Sequence, residues 1–223
     1  RYDDFSTYIY KTTDFGESWT SLKGNLPDEV VNVILQDPVN PEILYTGMDH
    51  GTYISFDDGG EWHYLASLPN VATYDMVVHP RDLELVIGTH GRSIYVMDVK
   101  PLHTISERLD EAITAIEPND VRYSARWGQQ SVAYRDPFMP NVQLMFYLSA
   151  DKEQGVEVEV SDANGKKVTA FEIDGHYGFN VYNWNLMLAE AKGDQAPEFM
   201  QKGEYTLTFK ANKAQHAVPF TIK

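Results

Sequence analysis

The most suggestive chemical group in this sequence is Thr89-His90-Gly91-Arg92. An imidazole and a guanidinium two residues apart can hold an anionic or sugar ligand between them, the guanidinium by a bidentate fork. An earlier stretch, Met48-Asp49-His50-Gly51, aligns with it and repeats the histidine. His90, Arg92 and His50 are therefore the candidate ligand-binding residues, although the repetition also fits turn chemistry that recurs with the fold. Carboxylates offer a second possibility. Glycoside hydrolysis needs two of them held at a defined separation, and Asp14, Asp57 and Asp58 recur with Glu17 and Glu61 nearby. Their setting in a repeated turn argues for structure instead. Arg81, Arg92, Arg108, Arg122, Arg126 and Arg135 fall in no motif that would gather around a ligand carboxylate. His63, His79, His103, His176 and His216 lack the spacing of metal ligands. No phosphate-cradling glycine loop, serine nucleophile elbow or zinc helix is present. The chain has no cysteine, which removes thiolate nucleophiles, thiolate metal sites and disulfides. No catalytic residue, metal site or cofactor is legible.

Two octads would position these groups. Thr12-Thr13-Asp14-Phe15-Gly16-Glu17-Ser18-Trp19 and Ser55-Phe56-Asp57-Asp58-Gly59-Gly60-Glu61-Trp62 share a hydroxyl, an Asp, a Gly and a closing Trp at the same spacing. The two tryptophans lie roughly 40 residues apart, a period suited to one propeller blade. In a hairpin turn the Asp carboxylate of each octad, Asp14 or Asp57, accepts from the backbone N–H groups that follow it. Gly16 and Gly59 supply a positive φ, and Trp19 and Trp62 open the outgoing strand and bury a large ring beneath the turn. The stretches Tyr8–Lys11, Val31–Leu35, Ile43–Gly47, Gly51–Ser55 and Trp62–Leu65 read as strands around the octads. The order restarts with Tyr74–Val78, a turn at His79-Pro80-Arg81-Asp82 matching the one at Asp37-Pro38, and then Leu85–Gly88 and Gly91–Asp98. In that last repeat Asp98 stands where Asp57 stood, but the Gly and Trp are missing.

Residues 101–140 read as a connector, with one or two helical turns between Thr104 and Ile113 and an aromatic stretch around Trp127 packed along a domain seam. From Asn141 a second β unit follows. Val142–Leu148 is a strand. Val156-Glu157-Val158-Glu159-Val160 alternates as a strand with one wet face should. Asn164-Gly165 is a strong hairpin signal. Further strands are expected over Lys167–Ile173, Gly178–Asn185, Lys202–Phe209 and His216–Ile222, with a polar loop from Ala189 to Met200.

The octads resemble the Asp-box, or BNR repeat, of sialidases, sortilins and secreted bacterial β-propellers. The segment from Leu85 to Asp98 running into Pro101-Leu102-His103-Thr104-Ile105 is similar to the way such sortilin-like proteins leave the propeller. The pieces Asp162–Val168, Gly178–Trp184 and Lys202–Phe209 look like the Ig-like module of the flagellar hook-cap protein. The resemblance implies an all-β chain: incomplete propeller blades over 1–100, a connector over 101–140, and an immunoglobulin-like β-sandwich over 141–223. It also implies export to a secreted, periplasmic or cell-surface location. The opening Arg1-Tyr2-Asp3-Asp4-Phe5 has no initiator Met or signal-peptide core, so the chain reads as an internal piece whose remaining blades lie elsewhere in a parent polypeptide.

With 33 acidic against 18 basic residues, the formal charge is −15. Nucleic acid and anionic membrane surfaces are poor partners for such a chain. No run approaches the roughly 18 apolar residues of a membrane span. The acidity reads as a solubility feature, and a cation such as calcium is the lesser alternative because the carboxylates show no EF-hand spacing. The functional expectation is non-catalytic binding or scaffolding, with a glycan or protein ligand over the propeller face. Two alternatives remain open: a glycoside hydrolase whose catalytic residues precede residue 1, and a sortilin-like peptide binder.

Overall fold

Short runs of β-branched and aromatic residues between Gly, Pro, Asn and Asp leave the chain to fold as short strands. The computed structural model describes residues 6–65, 68–130, 133–149, 154–189 and 197–223. Arg1-Tyr2-Asp3-Asp4-Phe5 and residues 190–196 of the polar stretch before Met200 lie outside the described residues. The protein is all-β, with one short helix among the described residues. It divides into two units, Arg1–Glu107 and Arg108–Lys223.

The first unit is three antiparallel sheets in sequence order. Strands β1 (Tyr10–Lys11) and β2 (Thr20–Ser21) form a hairpin. Strands β3 (Val31–Gln36), β4 (Leu44–Met48), β5 (Gly51–Ser55) and β6 (His63–Tyr64) follow as a meander. Strands β7 (Thr73–His79), β8 (Glu84–Thr89) and β9 (Ile94–Asp98) repeat it without a fourth strand. The repetition extends to defects. A bulge between Val31 and Val33 on β3 recurs between Thr73 and Asp75 on β7. Gly47 pairs with Val33 just past the first bulge, and Gly88 pairs with Asp75 just past the second, so Gly47 and Gly88 are equivalent. The middle sheet is covered on both faces, and every residue of β4 is buried. On one face Leu44, Met48 and Trp62 pack with Ile9 and Leu26 of the preceding hairpin. On the other, Thr52 Oγ1 lies 3.0 Å from Thr73 Oγ1.

Both octads close turns of the same geometry. In the second, Ser55 Oγ donates to Asp57 Oδ1 (2.7 Å) and accepts from Gly59 N–H (2.9 Å), while Asp57 Oδ1 accepts from Glu61 N–H (2.9 Å). In the first, Thr12 Oγ1 donates to Asp14 Oδ1 (2.8 Å) and accepts from Gly16 N–H (2.8 Å), and Ser18 N–H donates to Asp14 Oδ1 (2.9 Å). Gly16 and Gly59 sit at φ 95° and 90°, and the residues before them, Phe15 and Asp58, also have positive φ. The tryptophans differ. Trp62 is 3% exposed, whereas Trp19 is 60% exposed, contrary to the expectation that both are buried. The cause lies in the neighbouring sheet rather than in the turn. Trp62 Nε1–H donates to the Leu22 carbonyl (2.8 Å), and the Asn25 amide brackets the Trp62 backbone at 2.7 and 2.9 Å. No described residue stands before Trp19 in the place that Leu22 and Asn25 hold for Trp62. Asp98 also departs from its expected equivalence. Met97 pairs with Leu85 as Ser55 pairs with Leu44, which puts Asp98 level with Phe56 rather than with Asp57.

Helix α1 (Lys100–Ser106) begins four positions before the helical turns expected between Thr104 and Ile113, with Pro101 in its first turn. Proline has φ preset there and no helical N–H to lose. Leu102 and Ile105 are buried, which fixes the helix before Ile113 rather than across it. The helix is tied to the β3–β4 turn. Asp37, whose side chain is fully enclosed, accepts from Val39 N–H (2.8 Å), Asn40 N–H (3.0 Å) and Tyr45 Oη–H (2.9 Å). His103 Nε2 lies 2.9 Å from the same carboxylate. Burial pushes the Asp37 carboxyl up, but the bonds from Asn40, His103, Val39 and Tyr45 outweigh it and hold the group below its ordinary value. Burial, then the Asp37 charge, raises the Tyr45 phenol.

In the second unit, β10 (Ile113–Ile116), β11 (Val142–Leu148) and β14 (Gly178–Trp184) form one antiparallel sheet in the order β10-β11-β14. Strands β12 (Gln154–Asp162), β13 (Lys167–Gly175), β17 (Gly203–Ala211) and β18 (Ala214–Ile222) form another, in the order β13-β12-β17-β18. A small pair, β15 (Met187–Ala189) and β16 (Glu198–Phe199), lies apart. The two larger sheets share one core, with Leu144, Phe146 and Trp184 from the first meeting Val158, Phe209 and Phe220 from the second. Val156, Val158 and Val160 are fully buried. Glu159, on the opposite face of β12, pairs with Lys210 at 2.8 Å and Lys167 at 3.3 Å. Two parts of the expected connector are core elements here. Every residue of β10 is buried, and Trp127 packs within this unit against Tyr123 (5.1 Å) and Phe199 (6.0 Å).

Two outcomes are expected. Trp62→Ala should lower unfolding free energy by about 3–5 kcal/mol, while Trp19→Ala should change it by no more than about 0.5 kcal/mol, as read by urea denaturation. Because the Asp37 pKa is depressed on folding, the stability that it contributes is fully present above about pH 4. That contribution is lost as the pH falls through the lowered value. Asp37→Ala should cost about 2–3 kcal/mol at neutral pH and flatten the acid limb of a stability-versus-pH series.

Candidate functional site

Antiparallel meanders send alternate turns to opposite ends of a sheet. The β3–β4 turn and the octad turn between β5 and β6 therefore share one end, tied by the Asp58 N–H to the Glu42 carbonyl at 2.8 Å. The β4–β5 hairpin with His50 stands at the other end, and the β8–β9 loop with His90 and Arg92 holds the matching position in the third sheet. The repeated carboxylates and the candidate ligand-binding residues are thus separated by the length of a strand.

The octad carboxylates are occupied. Bonds from the Ser18 hydroxyl and N–H, then the Thr12 hydroxyl, pull the Asp14 carboxyl down to about 2. A group so acidic serves poorly as a general acid or base near neutral pH. Asp57 accepts hydrogen bonds from the Ser55 hydroxyl and the Glu61 N–H. Asp58 forms an ion pair with Lys11 of the first hairpin.

His50 occupies a two-residue turn between Met48 and Gly51, which pair with each other. Its Nδ1 lies 2.6 Å from Glu29 Oε2, and the Glu29 side chain is largely buried while the imidazole is exposed. Gly51 is at φ 136°, and a Cβ there would stand 2.4 Å from Tyr64 Cε2. Only glycine lets the hairpin close on that ring. Tyr64 meets Tyr53 edge to face at 5.3 Å. Burial raises both phenols, and the Glu29 charge raises them further. Asn32 Nδ2 donates to Asp49 Oδ1 (3.0 Å) at the rim. Two carboxylates, an imidazole, two phenols and an amide thus stand at one end of the middle sheet.

His90 sits differently. Its ring meets Tyr74 edge to face at 5.5 Å, and its N–H donates to the Ala72 carbonyl (2.9 Å). Counted from the equivalent glycines, His90 is two residues past Gly88 and His50 is three past Gly47. His90 is therefore level with Asp49, and its contact with Tyr74 takes the place of the Asn32–Asp49 bond; the two histidines are not equivalent. The β8–β9 loop is longer, with Gly91 at φ 70° and Ser93 at φ 83°. Arg92 is exposed and forms no hydrogen bond or ion pair among the described residues. The structure joins His50 to Glu29 and His90 to Tyr74, and no described contact joins the three candidates directly.

Sequence reasoning passed over Glu29, Tyr53 and Tyr64. Glu29 follows a proline in a stretch that reads as linker, and the tyrosines read as ordinary strand residues. The remaining histidines are dispersed: His79 beside Asp82 (3.2 Å), His103 on Asp37, His176 against the Tyr177 carbonyl (2.9 Å), and His216 accepting from Ala115 N–H (3.0 Å). His63 is buried, which lowers its pKa. Among the described residues no group of three His, Cys, Asp or Glu side chains is placed to hold a metal ion. In the second unit, a hollow of about 520 Å³ is lined by Asp120, Val121, Arg122, Tyr123, Lys202 and Lys223, with Lys223 paired to Asp120 at 2.5 Å. It contains no nucleophile and base pair. Among the described residues no helix is long and apolar enough to cross a membrane.

No family model matches this chain. No curated protein matches it either. Among solved structures it is similar to the extracellular domain of the putative one component system BT4673 from B. thetaiotaomicron. That likeness has 9% identity and a TM-score of 0.33, and covers 96% of this chain and 28% of that one. A second structure, described as the extracellular domain of the putative hybrid two component system BT4673, gives 9% identity and a TM-score of 0.30 over 96% and 27%. This chain spans under a third of the length of each of these two solved chains.

Proposed function

We propose that this chain is a non-catalytic recognition and scaffolding segment of an exported β-propeller protein. In this reading the sheets of the first unit are consecutive Asp-box blades, and the second unit is an immunoglobulin-like spacer or docking module. The octad turns support the first assignment, since hydroxyl, carboxylate and glycine play the same parts in both copies. Strand order supports the second. Counting β10, β11, β12, β13, β14, β17 and β18 as first to seventh, one sheet takes the first, second and fifth strands, and the other the fourth, third, sixth and seventh. In this reading the order is that of an immunoglobulin-like sandwich in which the fourth strand has changed sheets.

The observation that carries a binding role is the separation of the two ends. The conspicuous carboxylates are spent on turns at one end, while His50, His90 and Arg92 stand exposed at the other beside Tyr53, Tyr64 and Tyr74. Aromatic edges with a few oriented polar groups suit a glycan or a protein segment, with Arg92 the cation for an acidic moiety.

The test is binding of the chain to a panel of neutral and carboxylated oligosaccharides, with peptides in parallel. His50→Ala and Arg92→Ala should each weaken the strongest interaction by about tenfold or more, with Asp57→Asn altering stability but not affinity. Hydrolysis of any of these glycans, abolished by a single carboxylate substitution, would replace the binding role with an enzymatic one. Unchanged affinity in both variants would move the ligand site elsewhere.

A further inference from the structure

The sheets of the first unit meet through a recurring junction with a receiving face and an inserting face. On the receiving face of β3–β6, Leu35, Tyr45 and Ile54 form one row and Val33, Gly47 and Thr52 the next. Gly47 leaves a hollow that Thr73 of the following sheet fills. A Cβ on Gly47 would stand 2.6 Å from Thr73 Cγ2. Carried through the shared bulge, the same two rows in the third sheet are Val77, Val86 and Val96, then Asp75, Gly88 and Ile94.

Among the described residues this second receiving face is left largely open. Val77, Val96 and Ile94 are 57%, 60% and 68% exposed. A Cβ on Gly88 would meet nothing nearer than the Asp75 carbonyl of its own sheet, at 3.6 Å. The opposite end of the row is unfinished in the complementary sense. There the inserting face of the first hairpin shows Trp19 and Tyr10, 60% and 52% exposed, although its equivalent Trp62 is seated on Leu22 and Asn25.

We infer that the Val77–Val86–Val96 face is an interaction surface whose partner is the inserting face of another sheet of this same repeat. That partner would bring an octad tryptophan to the outer strand, over Val96 and Ile94, and a small β-branched side chain to the hollow at Gly88. The row left open here matches one whose Tyr45, Ile54 and Thr52 are buried one repeat earlier, and the junction is heterologous, so it propagates in one direction rather than closing a two-fold pair. Ligand recognition at the His50 end uses a different surface, and either can fail without the other.

A second copy of this chain carries an inserting face and is the probe. Sedimentation of the 223-residue protein from micromolar to millimolar concentration should show open-ended, head-to-tail association. Val96→Glu and Trp19→Lys should each weaken it by roughly 30-fold or more. Mixed together, the two variants should pair one to one and grow no further, because each retains one intact face. Circular dichroism checks that Val96→Glu folds, and Ile94→Lys on the same face replaces it otherwise. A chain that stays monomeric throughout, association unaffected by both substitutions, or variants that fail to pair would each overturn the assignment.

Discussion

The first unit depends on one fastening, the seating of Trp62 in the sheet before it. The octad turn fixes where the chain reverses, but the indole determines what the sheet packs against. Its N–H satisfies the Leu22 carbonyl, its ring joins Leu44, Met48, Ile9 and Leu26, and Asn25 pairs with both backbone groups of the same residue. Apolar burial supplies affinity without direction, and the three hydrogen bonds supply the register. The contrast with Trp19 shows how separable the two contributions are. Its turn is complete bond for bond, yet its ring is in solvent. A turn motif can therefore be locally perfect while the packing that gives the motif its worth comes from another repeat.

Local features were legible in the sequence because the same few residues both encode and build them. The Val–Glu alternation of β12 requires two faces of different polarity, and the structure buries the valines and pairs Glu159 with lysines. Asn164-Gly165 marked a turn in which Asp162 Oδ1 accepts from Asn164 and Lys166 N–H groups at 2.9 and 3.0 Å. What escaped was non-local. Strand β10 is four residues in a stretch without period, and it is a strand because β11 lies beside it. Helix α1 is shifted toward Pro101 because burial of Leu102 and Ile105 overrides the charge pattern further on. At the candidate site, His50, His90 and Arg92 could be picked out by residue type, but Glu29, Tyr53 and Tyr64 could not. Their proximity comes from the hairpin folding back on the segment before β3, which no spacing in the sequence encodes.

Charge is distributed according to the same division. The chain carries −15 formally, yet the carboxylates with the strongest local bonds are held in turns by N–H and hydroxyl groups rather than by cations. Asp14, Asp37, Asp57 and Asp162 all act in this way, each accepting from backbone groups that the reversing chain leaves unpaired. Aspartate suits the task because its short side chain reaches N–H groups two to four residues ahead. At the equivalent of Asp37 the third sheet uses His79, whose Nδ1 accepts from Asp82 N–H at 3.3 Å. His79 and Asp37 each supply an acceptor to the N–H groups of their turn.

The bond between His103 and Asp37 has a mechanical consequence. Helix α1 follows β9 directly, yet its side chains hold the β3–β4 turn of the preceding sheet, through His103 and through Asn40 Nδ2 donating to Ser106 Oγ (3.3 Å). Tension entering the first unit from its C-terminal side would thus load the doubly covered middle sheet instead of unzipping the edge strand β9 from β8. Such a clasp keeps the three-stranded sheet, whose outer strand is β9, out of the line of force.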